Sequence, residues 1–213
     1  DHDSIREYIC NFIMSTLEVN TINPQSGNDV TIGGSSKNVK FASGTTVDFN
    51  TNTPTLTLGS AMKMTPSFFA SKTSGSQSVS HNTWTKVTFD SETFDTDSAF
   101  ADSKFTVPSG EAGKYFFTVQ VCVQQGSVLL KTLLNGYYKN GSSIQDQREI
   151  ETRTDSPLYE YTLNKSIILD LSASDYIEFY IKPQTTDSSA TDIRSGSATN
   201  LMTFFQGYKL IGV

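Results

Sequence analysis

Histidine and cysteine are scarce in this sequence, and that scarcity restricts the chemistry available to the chain. Only two residues of each type occur among 213. The histidines, His2 and His81, are far apart and form no HExxH or comparable metal-binding spacing. The cysteines, Cys10 and Cys122, form no CxxC motif and are too few for a dense disulfide framework. We predict two unpaired thiols, with Cys122 on the face of a sheet; a single disulfide between them is the alternative.

Basic residues are also few. The sequence has 16 Lys and Arg against 22 Asp and Glu, which gives a formal charge of −6 and a pI near 4.9. Proteins bind nucleic acids through clustered Lys and Arg, so we predict no nucleic-acid partner and consider neutral sugars or proteins more suitable. No apolar run approaches the roughly 20 residues that span a bilayer. The first 30 residues lack the basic start and long apolar stretch of a secretory leader. We therefore expect neither membrane insertion nor a standard secretory route.

Catalytic motifs are absent as well. No GxSxG, P-loop or GxGxxG lies between a predicted strand and a predicted helix. Two carboxylates flanking a scissile bond could still form a glycosidase site, and acidic residues do crowd between positions 90 and 102. Of these, Asp95, Asp97 and Asp102 are the candidate ligands for calcium, which prefers oxygen. Because the run lacks the interleaved glycine of a defined calcium loop, we expect solvated carboxylates, no catalytic residues and no required cofactor.

Strand patterns dominate what is present. Hydrophobic residues make up 36% of the chain and charged residues only 18%, while Ser, Thr, Asn and Gly are plentiful, as in strands joined by polar turns. Residues 115–123 alternate strictly and place Tyr115 and Phe117 on one face, and residues 177–181 alternate likewise. From residue 66 onward we predict about eight strands, one of them over residues 128–138, with turns at Asn135-Gly136 and Asn140-Gly141.

A turn precedes the aromatic strand at 115–123. Pro108 cannot donate to a ladder and Gly113 can adopt positive φ, so the segment between them reverses the chain. Together with residues 167–179 and the closing Phe-x-Gly-Tyr, this pattern resembles the C1q-like domains of the C1q/TNF superfamily. The matching residues are Phe105, Pro108, Gly113, Tyr115, Phe117, Asp175, Phe205, Gly207 and Tyr208. The resemblance implies an antiparallel jelly-roll sandwich over residues 66–213 that forms homotrimers.

The chain departs from that family pattern at two positions. Ser174 stands where the family usually has glycine, and Lys209 follows the closing aromatic residue where an apolar residue is usual. The sequence therefore matches the fold pattern more closely than it identifies any ligand site.

The closing segment carries apolar side chains on both of its faces. Phe205 and Ile211 are predicted on one face, and Phe204, Tyr208 and Leu210 on the other. A sandwich covers only one face of each sheet, so the second face is predicted to be a subunit interface.

The N-terminal part of the chain is different in kind. Residues 1–27 form a predicted attachment segment with a candidate helix over 3–17, where Ser4 and Glu7 fit a capping box and apolar residues recur at helical spacing. The alternative is a poorly ordered extension. From Met14 onward the segment resembles the opening of small structural and fibre proteins of tailed bacteriophages.

Residues 28–65 contain regularly spaced pairs of apolar residues. The pairs are Val30/Ile32, Val39/Phe41, Val47/Phe49 and Leu56/Leu58, eight or nine residues apart. Two side chains per unit cannot build a core, but three chains around a common axis could, so we predict a short β-shaft in which Phe41 and Phe49 face the trimer axis. A flexible linker is the alternative.

These patterns lead to a hypothesis about function. We predict a structural virion protein of a tailed phage: a homotrimeric short fibre or spike, located on the particle surface. Its N-terminal segment would bind other virion proteins, and its head would recognise a host-surface glycan or protein. A tail fibre is favoured over a capsid decoration or head fibre. The first alternative is a secreted C1q/TNF-like module that binds carbohydrate or protein, and the second is a carbohydrate-active enzyme.

The sequence does not identify a receptor site. Polar loops follow Asn140 and occupy residues 183–200, and such loops often carry recognition. Residues with suitable side chains for a receptor contact are Tyr137, Tyr138, Arg148, Arg153 and Arg194. For any single one of them, an ordinary surface position is favoured over a receptor contact.

Overall fold

The structure is a computed structural model that describes residues 63–124, 130–151 and 158–211, apart from the side chains of 149–151. These residues belong to one compact unit, Leu56–Val213. The predicted attachment segment and its helix, Phe41, Phe49, Cys10, Arg153 and the predicted shaft up to residue 62 lie outside the described residues.

The described residues form thirteen strands, and every pairing between them is antiparallel. A short 3-10 turn, Thr96–Ser98, is the only helical element in this part of the chain. The strands are β1 (Ser67–Ser71), β2 (Gln77–Val79), β3 (Thr85–Lys86), β4 (Ser91–Asp95), β5 (Phe100–Ala101), β6 (Lys104–Thr106), β7 (Gly113–Gln124), β8 (Leu130–Lys139), β9 (Ser142–Glu151), β10 (Glu160–Leu171), β11 (Tyr176–Thr185), β12 (Thr191–Ile193) and β13 (Phe204–Lys209).

The strands form two sheets. In the first sheet, β7 pairs with β10 along one edge and with β13 and β12 along the other, and β1 lies between β13 and β4. The second sheet has the order β5-β6-β11-β8-β9, with β3 also paired to β11. The chain passes twice from the second sheet to the first and back. It does so from β6 to β7 and then β8, and again from β9 to β10 and then β11. This connectivity is that of an antiparallel jelly-roll sandwich, so the predicted fold class is confirmed.

The core lies between the sheets and is rich in aromatic rings. On β7 the predicted inner-face residues are fully buried, and so are those of β11: Tyr115, Phe117, Val119, Val121, Val123, Ile177, Phe179 and Ile181. The Phe68 ring centroid lies 5.2 Å from that of Phe105 and 4.9 Å from that of Phe205. Burying one such side chain stabilises a fold by about 1.5–3 kcal/mol. These rings therefore join the two sheets more strongly than any polar contact does.

Glycine permits a close approach on the closing strand. A Cβ added at Gly207 would lie 2.5 Å from the ring of Phe117 and 2.9 Å from the carbonyl oxygen of Phe116. Real side chains do not tolerate such distances. Gly207 is therefore required because a core ring lies directly against the backbone of β13.

One of the two predicted Asn-Gly turns is wrong. Asn140-Gly141 does form the β8–β9 turn, with φ of +53° and +76°, as in a type I′ hairpin. Asn135-Gly136 instead lies inside β8. A Cβ at Gly136 would lie 2.0 Å from the carbonyl oxygen of Gln145 on β9. This glycine permits the close approach of two strands and does not reverse the chain.

The prediction for Ile211 is also wrong. We expected it to share the inner face with Phe205, but β13 ends at Lys209 and Ile211 is 39% exposed. Phe205 itself is fully buried. The backbone amide of Leu210 still donates to the carbonyl oxygen of Lys114, but Ile211 lies beyond the end of the strand, where the alternation of faces does not apply.

Asp175 ties two turns together at one end of the sandwich. Its carboxylate accepts hydrogen bonds from Lys139 Nζ at 2.8 Å, Asn140 Nδ2 at 2.7 Å and the backbone amide of Ser172 at 2.8 Å. The Asn140 side-chain oxygen in turn accepts from the backbone amide of Tyr176 at 2.9 Å. The hydrogen bond from Lys139, followed by those from Asn140 and Ser172, lowers the pKa of Asp175 from 3.8 to about 2. The β8–β9 and β10–β11 turns are thus fixed by one ionised group.

We predict that this network makes stability fall at acid pH. Because the folded pKa of Asp175 is below its unfolded value, its contribution is complete above about pH 4 and is lost as pH falls towards 2. Asp175→Asn should therefore lower the free energy of unfolding at pH 7 and have a smaller effect at pH 2, measured by urea denaturation. Asp170→Asn, at an exposed carboxylate on β10, is the control and should change little. An equal loss for Asp175→Asn at both pH values would contradict the assignment.

Ser174 adopts a backbone conformation whose effect on stability can be tested. Ser174 has a φ of +71°, a conformation that glycine adopts freely and L-residues do not. We expect Ser174→Gly to raise the free energy of unfolding by about 0.5–1 kcal/mol. Ser172→Gly, in the same turn but without positive φ, should lower it instead. Thermal and urea unfolding of the two variants would measure the difference, and destabilisation by both would show that the strain is not significant.

Candidate functional site

The acidic residues considered for calcium are not assembled into a site. Both carboxylate oxygens of Asp95 accept hydrogen bonds, from the backbone amides of Ala99 at 2.9 Å and Phe100 at 3.0 Å. Asp97 and Asp102 lie in tight turns, with φ of +65° and +50°. In residues 63–124, 130–148 and 158–211, no group of three or more His, Cys, Asp or Glu side chains is placed to hold a metal ion. Asp95 has a structural role, because its carboxylate holds the backbone where the turn leads into β5.

The aromatic and basic residues considered for a receptor are dispersed. Tyr137 is a correction: it is fully buried, and its hydroxyl donates to the carbonyl oxygen of Lys165 at 2.9 Å. Burial raises the pKa of that hydroxyl. Arg194 forms an ion pair with Glu160. Tyr138, the next residue along β8, lies on the opposite face of the strand and is partly exposed.

The single described cysteine is also placed. Cys122 is a free thiol on β7, fully buried, as predicted for a residue on a sheet face. Burial raises the pKa of the thiol. A protonated, inaccessible thiol is a poor nucleophile, so burial and pKa both favour a packing role for Cys122.

The outer face of the first sheet carries two clusters of apolar side chains, with Gln206, Thr118 and Ser166 between them. At one end, the ring of Phe69 lies 6.4 Å from that of Phe94 and 5.5 Å from that of Phe204. At the other end, Phe116 lies 5.4 Å from Tyr208 and pairs in register with Ile168 on β10. Phe94 is 48% exposed and Ile168 is 59% exposed. We call these six residues the apolar face. Phe204 and Tyr208, two of the predicted interface residues, belong to it, and Leu210 lies half-buried just after β13.

A cleft opens at the Phe94 end of the apolar face. It has a volume of about 310 Å³ and lies between β1, β4 and the loop before β13. Phe69, Phe94 and Leu201 form its apolar walls, and serine and threonine residues complete the lining, at Ser71, Thr73, Ser91 and Thr93. The lining carries no charge, so the cleft suits an uncharged group.

The outer face of the second sheet has a different character. The ring of Tyr138 lies 4.1 Å from that of Tyr180, at an interplanar angle of 31°, and 5.9 Å from that of Trp84. We call Trp84, Tyr138 and Tyr180 the aromatic platform. Beside it, Lys86 Nζ forms a 3.0 Å ion pair with Glu178, whose side chain is 8% exposed. Lys86 Nζ also donates to the carbonyl oxygen of Asp102 at 2.9 Å.

Sequence reasoning missed this platform. Its three rings come from β8, β11 and the residue before β3, and nothing in a single sequence indicates that these segments are neighbours. The strand alternation on β11 was a usable signal, because it places Tyr180 and Glu178 on the face opposite Phe179. The sequence indicates Tyr138 as a candidate for receptor contact, but it does not indicate that Tyr180 and Trp84 lie beside it.

Comparisons with known proteins add little to this geometry. No protein-family model matches the chain, and no curated protein has a significant match to it. Among solved structures, the chain is similar to the globular domain of zebrafish complement 1qA protein, with a TM-score of 0.45 and 14% sequence identity. That alignment covers 68% of this chain and 97% of the zebrafish domain. No helix in the described part of the chain is long and apolar enough to cross a membrane.

Proposed function

We propose that this chain is a non-enzymatic binding module that works as a homotrimer, with the apolar face as the subunit interface. The observation that carries this proposal is the exposure of large apolar side chains on that face. Phe94 and Ile168 are each about half exposed, and Leu201, at the adjoining cleft, is 38% exposed. Clusters of exposed large apolar side chains favour an interaction site, because water contact with them is unfavourable.

The positions of the polar groups support a binding role over a catalytic one. The carboxylates of Asp95, Asp175 and Glu178 are all engaged with turn amides or lysines. His81 Nδ1 accepts a hydrogen bond from the backbone amide of Thr185 at 3.0 Å and so serves the local backbone. Groups committed to the fold in this way are not free to transfer protons to a substrate.

The sequence supports a more specific role. Its short apolar pairs over residues 28–65 and its phage-like N-terminal segment favour a trimeric fibre or spike on the particle surface of a tailed phage. In this proposal residues 1–27 bind other virion proteins and the jelly-roll head recognises the host surface, with a tail fibre favoured over capsid decoration. A secreted C1q/TNF-like module that binds carbohydrate or protein is the alternative.

We predict a trimer that depends on the apolar face. Light scattering of the full chain at micromolar concentration should give a mass near three times 23.4 kDa. The double variant Phe94→Asp/Ile168→Asp should have a lower fraction of trimer, and its trimer should dissociate at a lower urea concentration. Both side chains are exposed in the single chain, and their burial drives association.

Ile144→Asp is the matched control for that experiment. Ile144 is 41% exposed but lies on β9, in the second sheet. It should leave the assembly unchanged. A monomeric wild-type chain, or a double variant as firmly trimeric as the wild type, would refute the assignment of the interface.

The location on a particle has its own test. Immunolabelling of intact phage particles should place the protein on a tail appendage, and a chain lacking residues 1–60 should fold but fail to attach. Labelling on the capsid would correct the location only. Absence from particles would favour the secreted module and remove the virion role.

A further inference from the structure

Two surfaces of the described chain could bind a ligand, and they differ in what they offer. The cleft beside Phe94 adjoins the apolar face, so it belongs to the proposed subunit interface. The aromatic platform lies on the second sheet, on the far side of the sandwich from that interface. It therefore remains accessible when the apolar face is covered.

The rings of the platform support one another. Tyr138 contacts both Tyr180 and Trp84, and all three rings are partly exposed. Gly136, which pairs in register with Tyr180, contributes no side chain between Tyr180 and β9. Side chains already held by neighbours lose little conformational freedom when a ligand binds, so the platform is preorganised.

Charge balance limits the class of ligand. Lys86 and Glu178 neutralise each other. Lys86 also donates to the Asp102 carbonyl oxygen, and the Tyr180 hydroxyl donates to Glu178 at 3.5 Å. Burial, together with Glu178, raises the pKa of Tyr180, so its hydroxyl stays protonated at neutral pH. The neighbouring outward positions carry charges of both signs, Asp146 on β9 in register with Gly136 and Lys182 two residues after Tyr180 on β11, so the surface favours no ligand of one sign. A neutral ligand with a flat apolar side and hydroxyls at its edge would fit the rings and the polar groups together.

Area argues against a protein partner at this surface. An aromatic side chain buries about 150–250 Å², and these rings are already partly covered. A stable protein interface needs about 800 Å² on each side. The three rings alone supply less than that area, so they suit a small ligand better than a protein.

We propose that the aromatic platform binds an uncharged glycan, with a pyranose ring stacked on the rings of the platform and its hydroxyls within reach of the Tyr180 hydroxyl and the Lys86–Glu178 pair. This inference rests on the proposed recognition function and names its ligand class. A single stacking site is weak, and three copies on one trimer raise the avidity.

Trp84 is the single tryptophan of the chain, so its fluorescence reports on the platform directly. The full chain is titrated with maltohexaose, cellohexaose and chitohexaose, and with a heparin hexasaccharide as the anionic comparator. At least one neutral oligosaccharide should change the emission with a saturable curve, and heparin should not. Tyr138→Ala and Tyr180→Ala should each weaken that binding by about tenfold or more, which corresponds to about 1.4 kcal/mol. Tyr180→Phe, which keeps the ring, should bind more tightly than Tyr180→Ala.

Tyr159→Ala is the matched control, because Tyr159 is 56% exposed but precedes β10 in the other sheet. It should bind like the wild type. Binding by none of the neutral oligosaccharides, binding of heparin alone, or equal affinity in the platform and control variants would overturn the inference. Light scattering on the same samples separates the two proposals: a trimer that binds no glycan refutes only the platform, and a monomer that binds refutes only the interface.

Discussion

The structure depends on the contact of aromatic rings between the two sheets. Phe117 on β7 and Phe205 on β13 lie 5.9 Å apart in the first sheet, and Phe105 from the second sheet lies 5.4 Å from Phe117. Gly207 leaves the space that the Phe117 ring occupies. Removing one such ring from a core costs about 3–5 kcal/mol, a large part of the stability of a domain. The residues on which the C1q-like resemblance depends are mainly these rings and the turns that position them. They therefore indicate the fold but do not identify a ligand site.

Each sheet buries one face in the core and leaves the other outward, and the two outward faces differ in amino-acid composition. Strand alternation makes this possible, because substitutions at outward positions do not disturb the inward ones. On the first sheet the outward positions hold Phe69, Phe204 and Tyr208, with polar Gln206, Thr118 and Ser166 between the two apolar clusters. On the second sheet the aromatic residues lie next to a matched ion pair. The first face is suited to contact with another apolar surface, and the second to a small ligand with both apolar and polar parts.

Much of this fold could be predicted from the sequence, because its main signals are local. A period of two along residues 115–123 identifies the buried face of β7 without knowledge of any other strand. Asn-Gly dipeptides show where local signals fail. Asn140-Gly141 and Asn135-Gly136 are identical in type, yet the second is held in β8 by pairing with both β9 and β11. Tertiary pairing decided between strand and turn, and a single sequence does not contain that pairing.

The platform was beyond prediction for the same reason, and its position has a functional consequence. Tyr137 and Tyr138 are neighbours in sequence, but one fills the core and the other forms the centre of the platform. The second sheet turns its outer face away from the proposed interface, so a trimer would present three platforms outward at fixed spacing. Once one platform is bound, the other two would meet the same surface at a high effective concentration, so weak individual contacts would give strong overall binding. In the proposed role, individual contacts could then exchange while the trimer remains bound to a repetitive glycan surface.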